Sequence, residues 1–191
     1  ESAPIPDKPQ VPLKGGAVVV ASPESITEAC FCVPAVRALR NARPHASIAV
    51  LTPDSIAPLW NSVLGLNDLI TYPDAASVKE ILKILKAGPF TAESSLAWEA
   101  SNAAVALAKA KVAQRLGYDF KPLNKRLTDK LKITGQNGPV EHRVRYYMGL
   151  VEQLGIEGYV AKSFETPPLP PRPDPVRIGP WHLVEELVQA V

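Results

Sequence analysis

Apolar residues recur along the chain in two alternating patterns. Short uninterrupted apolar runs, beginning with Ala17–Ala21, are typical of strands buried on both faces of a sheet. Such runs predict strands at 17–21, 47–51, 69–72, 94–98 and 112–118. Between them, apolar residues every three or four positions predict amphipathic helices at 26–39, 77–87, 101–111 and 141–154. The pattern therefore predicts strands that alternate with helices.

Several helix starts carry their own signals. Ser25 with Glu28 matches a capping box, and Ser77 with Glu80 matches another. In this arrangement the hydroxyl and the carboxylate satisfy free amides at the start of a helix. Thr52–Pro53 predicts a further helix start, because threonine suits the N-cap and proline suits the first helical position.

The alternation indicates an α/β fold, a Rossmann-like parallel sheet with helices on both faces. In such sheets ligands bind beyond the carboxyl ends of the strands, where the strand order reverses. The loop after the first strand, Ser22–Glu28, is therefore the first place to look for chemistry. It contains neither G-x-G-x-x-G nor G-x-x-x-x-G-K-[ST], which cradle phosphates with glycine amides. A glycine-rich dinucleotide or nucleoside-triphosphate site is disfavoured there.

Proline marks the organisation of the chain. The 20 prolines among 191 residues are about twice the usual ~5% share, and they concentrate towards the two ends. They divide the chain into a Pro-rich leader at 1–15, a compact domain at 16–165, a Pro-rich connector at 166–175 and a final segment at 176–191. Proline-rich connectors are semi-rigid and extended, so the connector points towards something beyond the domain.

Several other classes are disfavoured. No apolar run approaches the ~20 residues that span a bilayer, and no signal peptide pattern is present. Cys30 and Cys32 point to nearly opposite sides of a helix and cannot join each other, which fits a reducing cytoplasm. His45, His142 and His182 lack the spacing of metal ligands. We expect a soluble cytoplasmic protein with no cofactor and no metal.

One segment is strongly basic. Residues 109–132 contain eight Lys or Arg and two Asp. Such a segment either approaches an anionic membrane surface or a phosphorylated glycolipid, or forms an ordinary solvated face. Nucleic acid is a poorer interpretation, because aromatic residues are few and no nucleic-acid-binding motif accompanies the charge.

Four segments carry a family resemblance. The strongest is Val33–Thr52, which is similar to a TPAVRALRRARPxAxIxVLT stretch, and it is followed in order by Ala57–Trp60, Ser101–Gly117 and Glu141–Gly155. Together, over roughly residues 16–155, they resemble the N-terminal half of glycosyltransferase family 9, the bacterial lipopolysaccharide heptosyltransferases and their relatives.

The resemblance implies a GT-B architecture, in which two Rossmann-like halves face each other across a cleft. The N-terminal half receives the acceptor sugar, and the C-terminal half binds a nucleotide sugar such as ADP-heptose. The resemblance further implies transfer with inversion and without a metal. The segment 166–175 then links the halves, and 176–191 is the start or remnant of the donor domain.

The resemblance also implies site residues. The family's S-x-G-D motif, whose aspartate deprotonates the acceptor hydroxyl, falls on Ser25–Glu28, where Thr27 and Glu28 replace glycine and aspartate. It implies Glu28 as the catalytic base and the following acceptor-binding residues: Ser25, Thr27, Arg115 and His142. The pattern alone leaves alternatives open, because Glu28 can instead complete the capping box and His142 can be an ordinary surface residue.

The resemblance predicts a heptosyltransferase-like enzyme that acts on lipopolysaccharide core or a related glycan, this chain supplying the acceptor half. We expect it in the cytoplasm, with contact to the inner membrane as a further option. The altered motif and the lack of most of a donor domain support an alternative, a non-catalytic carbohydrate-binding or protein-interaction module. A flavodoxin-like domain matched by chance is a third interpretation.

Overall fold

Strands and helices alternate in the computed structural model, which describes residues 11–89, 91–121, 123–133 and 143–156. All of these lie in the first of two compact units, Glu1–Tyr159. The described strands are β1 (Ala17–Ala21), β2 (Ser47–Pro53), β3 (Asp68–Tyr72), β4 (Ser94–Ala97), β5 (Gln114–Tyr118) and β6 (Asp129–Leu131). The described helices are α1 (Ile26–Ala42), α2 (Ala57–Asn61), α3 (Val78–Ala87), α4 (Asn102–Lys109) and α5 (Arg143–Glu152), with a 3-10 turn at Leu123–Lys125.

The described strands form one parallel sheet in the order β3-β2-β1-β4-β5-β6. The chain runs outward from β1 through β2 to β3, and it then returns to the other side of β1 as β4. The strand order therefore reverses between β1 and β4, where Val20 lies opposite Leu96. In α/β sheets a ligand crevice forms beyond the carboxyl ends of the strands at this point. The predicted α/β fold is confirmed.

The sheet is covered on both faces, as its apolar strands require. Val18, Val19 and Val20 in β1 are at most 1% exposed. One core layer joins the sheet to α1, α2 and α5, with Leu39 and Trp60 among its fully buried side chains. The other layer joins it to α3 and α4. The first and last described helices, α1 and α5, therefore pack on the same face of the sheet.

The end of the leader packs against the amino-terminal edge of the sheet. Leu13 is buried in the core. The Arg43 guanidinium donates to the Leu13 carbonyl at 2.7 Å, and the Gln114 side-chain amide donates to the Pro12 carbonyl at 3.0 Å. The leader predicted at 1–15 is thus fixed to the domain from residue 11 onward. Residues 1–10, the linker at 166–175 and the segment at 176–191 lie outside the described residues.

One helix start and one strand differ from the sequence predictions. The helix start predicted at Thr52–Pro53 is wrong, because both residues belong to β2 and the helix begins at Ala57. Thr52 and Pro53 pair with the end of β3, and this pairing keeps the backbone extended. Strand β6 was not predicted, because Asp129–Leu131 has no apolar run. Its Lys130 is exposed and suits a sheet edge that must avoid further pairing.

Gly117 in β5 is predicted to be intolerant of a side chain. A Cβ atom built there lies 2.6 Å from the Ala97 carbonyl oxygen of β4, and Leu127 stands close by. Gly117→Ala therefore forces neighbouring strands apart, and we expect a loss of about 1–3 kcal/mol in the free energy of unfolding. Urea denaturation monitored by circular dichroism measures the loss.

Gly16 provides the matched control. A Cβ atom at Gly16 meets no atom within 4 Å, so Gly16→Ala should leave the free energy of unfolding within about 0.5 kcal/mol of the wild type. Equal stability of the two variants would contradict the close approach of β4 and β5.

Candidate functional site

Glu28 lies in the first turn of α1, directly beyond the carboxyl end of β1. Its Oε2 atom accepts a hydrogen bond from the Tyr147 hydroxyl at 2.5 Å and another from Arg143 Nε at 2.8 Å. The Arg143 contact is also an ion pair. Both donors come from α5, which packs beside α1. Both donors contact Oε2, and no described residue donates a hydrogen bond to Oε1.

The capping box expected between Ser25 and Glu28 is wrong. Ser25 is the N-cap residue of α1, but its side chain makes no capping hydrogen bond. The Glu28 carboxylate turns towards α5, since a guanidinium offers a charged donor where the helix offers only a backbone amide. The corresponding prediction at α3 is confirmed, because Ser77 and Glu80 form both hydrogen bonds of a capping box.

The surroundings of Glu28 favour its ionised form. Partial burial raises the pKa of this carboxyl, but the hydrogen bond from Tyr147 and the hydrogen bond and charge of Arg143 outweigh burial. The net effect is a pKa below the ordinary value for glutamate. Glu28 is therefore a carboxylate throughout the neutral pH range, and it can accept a proton from a bound hydroxyl group.

Aromatic side chains fix the start of α5 against the end of β4. Trp98, which directly follows β4, donates from Nε1 to the Tyr147 carbonyl at 2.8 Å. The Tyr146 hydroxyl donates to the Trp98 carbonyl at 2.6 Å. The Arg143 guanidinium carbon lies 4.3 Å from the centre of the Tyr146 ring, within cation–π range. These contacts orient both donors that hold Glu28.

A second carboxyl group lies on the other side of the crevice. Glu99 follows β4, and its Oε1 accepts a hydrogen bond from the Glu24 backbone amide at 3.3 Å. Burial raises the pKa of Glu99, and so do the charges of Glu24 and Glu28, although the Glu24 amide and Arg143 act in the opposite direction. Glu24 Oε1 in turn accepts from the Asn102 amide at the start of α4, at 3.1 Å.

The structure brings only some of the predicted site residues together. Ser25 and Thr27 are exposed beside Glu28 at the start of α1. Arg115 lies near the amino end of β5, where its guanidinium donates to the Val112 and Arg126 carbonyls at 2.5 and 2.6 Å. It does not join the group around Glu28. His142 lies outside the described residues.

Four residues of the site escaped the sequence analysis: Arg143, Tyr147, Glu24 and Glu99. Arg143 and Tyr147 stand four positions apart on a helix, so they share one face. Glu99 comes directly after a predicted strand, and Glu24 comes three residues after the end of another. A systematic inspection of polar residues after each strand end could have found the two glutamates.

No group of three His, Cys, Asp or Glu side chains in the described part of the chain is arranged to hold a metal ion. Within the same residues, every helix is too short or too polar to span a bilayer. Cys30 is exposed and Cys32 is buried, and neither forms a disulfide.

Several solved structures share this fold, and three of them are described here. A glycosyl transferase family 9 protein from Veillonella parvula DSM 2008 matches 77% of the chain with a TM-score of 0.66 and 15% identity. The E. coli heptosyltransferase WaaC with ADP matches 75% with a TM-score of 0.57 and 15% identity. The E. coli ADP-heptose lps heptosyltransferase II matches 79% with a TM-score of 0.57 and 19% identity.

The fold of the chain is similar to one part of each of these structures. The chain spans 43%, 48% and 44% of these three proteins, less than half of each. No family model and no curated protein sequence matches the chain. The resemblance noted in the sequence is thus confirmed at the level of the fold, with the Rossmann-like sheet of a GT-B glycosyltransferase half.

Removing the Tyr147 hydroxyl should raise the pKa of Glu28. Tyr147→Phe deletes a hydrogen bond that stabilises the carboxylate, so the pKa should move up towards the ordinary value. NMR titration of the Glu28 side-chain carboxyl measures the shift. Tyr146→Phe is the control, because the Tyr146 hydroxyl bonds to the Trp98 carbonyl. The same shift in both variants would contradict the assigned contact.

The lowered pKa of Glu28 also predicts acid sensitivity. A carboxyl whose folded pKa is depressed stabilises the fold above its unfolded pKa of about 4.3, and this contribution is lost as the pH falls through the folded pKa. Urea denaturation at a series of pH values should show a smaller acid-induced loss of stability in Tyr147→Phe than in the wild type. An identical pH profile would contradict this linkage.

Proposed function

We propose that this chain is the acceptor half of a GT-B glycosyltransferase that moves a sugar from a nucleotide donor to a saccharide hydroxyl. One observation carries the proposal. An ionised carboxylate, Glu28, is fixed by Arg143 and Tyr147 at the point where the strand order reverses. In this fold that point is where ligands bind.

In the proposed reaction Glu28 is the general base. Its free oxygen takes the proton of the acceptor hydroxyl while that hydroxyl oxygen bonds to the anomeric carbon of the donor sugar. The bond from the anomeric carbon to the nucleoside diphosphate breaks, and the diphosphate leaves with the electron pair. A single displacement of this kind inverts the anomeric configuration, and it takes place without a metal in this proposal.

Arg143 and Tyr147 act as positioning residues in this proposal. By holding Oε2 they restrict the rotamer of Glu28. This constraint supports a glutamate as the base, because an unrestrained longer side chain would sample many geometries, and a misplacement of ~1 Å can cost about a hundredfold in rate.

The donor is proposed to be ADP-heptose or a similar nucleotide sugar bound by a second half. Support comes from the fold, since one similar structure is WaaC with ADP and another is WaaC with ADP-2-deoxy-2-fluoro heptose. Ser25 and Thr27 are proposed to contact an acceptor from lipopolysaccharide core or a related glycan, together with His142. Arg115 is not part of the proposed acceptor site, because its guanidinium donates hydrogen bonds to backbone carbonyls just before β5 and β6.

Peripheral contact with an anionic inner-membrane surface, from the cytoplasmic side, belongs to the same proposal. The lysines of residues 109–132 are exposed, as is Arg126. A membrane-bound acceptor would bring the enzyme to such a surface, where each nearby cation contributes about 1 kcal/mol.

Glu28→Gln tests the proposal. The amide keeps nearly the same shape but cannot accept the proton, so kcat should fall by roughly a hundredfold or more. The measurement is ADP release from ADP-heptose in the presence of saccharide acceptors, in protein that carries both halves. Glu93→Gln is the matched control, because Glu93 is exposed at the amino ends of the strands, whereas Glu28 lies beyond their carboxyl ends. Turnover of Glu28→Gln within a few-fold of the control would refute the assignment.

A further inference from the structure

The two faces of the sheet differ in the charge of the elements that cover them. One face is covered by α3, α4 and the connection between β5 and β6, with Ile81, Leu107 and Leu123 buried beneath them. Residues 78–87, 102–111 and 121–126 of these elements contain eight basic residues and one acidic residue. The whole chain has a net charge of only +2. Positive charge is therefore concentrated on this face, and the rest of the chain is acidic on balance.

All eight basic side chains on these elements are exposed. We call the surface that they form the basic face: Lys79, Lys83, Lys86, Lys109, Lys111, Lys121, Lys125 and Arg126. Within the described ranges none of them forms an ion pair. The acidic residue, Glu80, accepts hydrogen bonds from the Ser77 amide at 2.8 Å and the Ser77 hydroxyl at 2.7 Å. Its carboxylate is thus engaged at the start of α3.

The outer side of α3 combines these charges with an apolar side chain. Four residues share this side of the helix, at the i, i+3, i+4 and i+7 positions: Lys79, Leu82, Lys83 and Lys86. Leu82 is half-buried, whereas the three lysines are exposed. Basic residues next to apolar ones are typical of helices that lie on a membrane surface.

The helices on the other face of the sheet carry less charge, and part of it is already paired. Helices α1, α2 and α5 contain four basic and two acidic residues. Arg40 donates to the Ala46 carbonyl at 2.8 Å, and Arg143 pairs with Glu28 at 2.8 Å. The excess of exposed positive charge therefore lies on the basic face.

The basic face adjoins the crevice at the strand-order reversal. Asn102, the first residue of α4, donates from its side-chain amide to the Ala76 carbonyl at 3.3 Å, shortly before α3. Its backbone amide donates to Glu24 in the loop after β1, at 3.1 Å. One residue thus joins the starts of α3 and α4 to the loop that leads to Glu28. A ligand surface that binds the basic face therefore lies beside the rim of the crevice.

We propose that the basic face is a membrane-docking surface, with the outer side of α3 lying on the headgroups of anionic phospholipids. The occupant follows from charge complementarity, because cations spread over two helices and a connection match an extended anionic surface. Leu82 adds an apolar contact among them. Docking places the crevice next to the membrane, where the sugar of a membrane-bound acceptor reaches Glu28. This inference rests on the proposed membrane contact and identifies its surface, which includes three lysines outside residues 109–132.

Nucleic acid fits the basic face less well. Its bases bind proteins by stacking on aromatic side chains. Residues 78–87, 102–111 and 121–126 contain no aromatic residue. The basic face offers cations and aliphatic side chains, which match phospholipid headgroups and the apolar layer below them.

Vesicle cosedimentation of the full chain tests the inference. Vesicles of phosphatidylglycerol and phosphatidylcholine in equal parts are compared with vesicles of phosphatidylcholine alone. We expect binding to the neutral vesicles to be roughly tenfold weaker or less, since they lack the negative surface potential. Equal binding to both, or no binding to the anionic vesicles, would overturn the inference. Tighter binding to a DNA duplex than to anionic vesicles, at equal phosphate concentration, would also overturn it.

Charge reversal on opposite faces of the sheet locates the contact. Lys83 is exposed on α3, and Arg37 is exposed on α1. Loss of one cation from an anionic surface weakens binding about fivefold, so Lys83→Glu, which also adds an anion, should weaken it further. Arg37→Glu changes the net charge equally but should leave binding within about twofold of the wild type at about 0.1 M salt, where screening limits the effect of distant charges. Equal weakening in both variants would overturn the inference.

Lys83→Gln guards against a failure of the reversed variant to fold. It removes the cation without adding an anion, and circular dichroism checks that it is folded. We expect it to weaken binding to the anionic vesicles about fivefold. A folded Lys83→Gln protein with wild-type affinity would count against the docking surface.

The vesicle experiment is independent of the proposed reaction, because it requires no donor, acceptor or turnover. Vesicle binding that Lys83→Glu weakens, combined with an active Glu28→Gln enzyme, would refute the base and leave the docking surface standing. An inactive Glu28→Gln enzyme, combined with vesicle binding that Lys83→Glu leaves unchanged, would refute only the docking surface.

Discussion

The candidate site depends on the hydrogen bonds that join the Glu28 carboxylate to Arg143 and Tyr147. These bonds connect the first turn of α1 to the start of α5. Arg143 lies 115 residues after Glu28 in the chain, and Tyr147 lies 119 residues after it. Because α5 is in turn held to the end of β4 by Trp98, the loops after both central strands are fixed relative to each other. The loops after β1 and β4 are thereby joined through α5 at the strand-order reversal.

Most of the fold could be predicted from the sequence because its strands are fully buried. In β1 and β2 burial on both faces demands uninterrupted apolar runs, and these runs are visible without any knowledge of neighbours. The end of β2 could not be predicted, because Thr52–Pro53 carries a local helix-start signal and only its pairing with β3 keeps it extended. Strand β6 has three residues and gains its structure from pairing with β5.

The contrast between local signals and tertiary contacts also explains why only one of the two predicted capping boxes forms. Ser77 and Glu80 form a capping box because both face solvent and the α3 backbone supplies their described partners. Ser25 and Glu28 have the same spacing, but Glu28 meets a guanidinium and a phenol from α5. A local pattern cannot reveal a competing partner more than a hundred residues away. The family resemblance marks Glu28 as a candidate base, whereas its hydrogen bonds could be seen only in the tertiary structure.

The crevice separates the acid–base properties of two neighbouring carboxyl groups. Glu28 gains two donors and its pKa falls, while Glu99 is partly buried near other carboxylates and its pKa rises. The donors that fix Glu28 also lower its pKa, so the carboxylate is held in place but binds a proton less tightly. Arg143 remains 46% exposed, and a bound ligand that removes water from it would strengthen its interactions with both glutamates. A ligand that covers Arg143 would therefore change the ionisation of both glutamates, because the Arg143 charge acts on Glu28 and on Glu99.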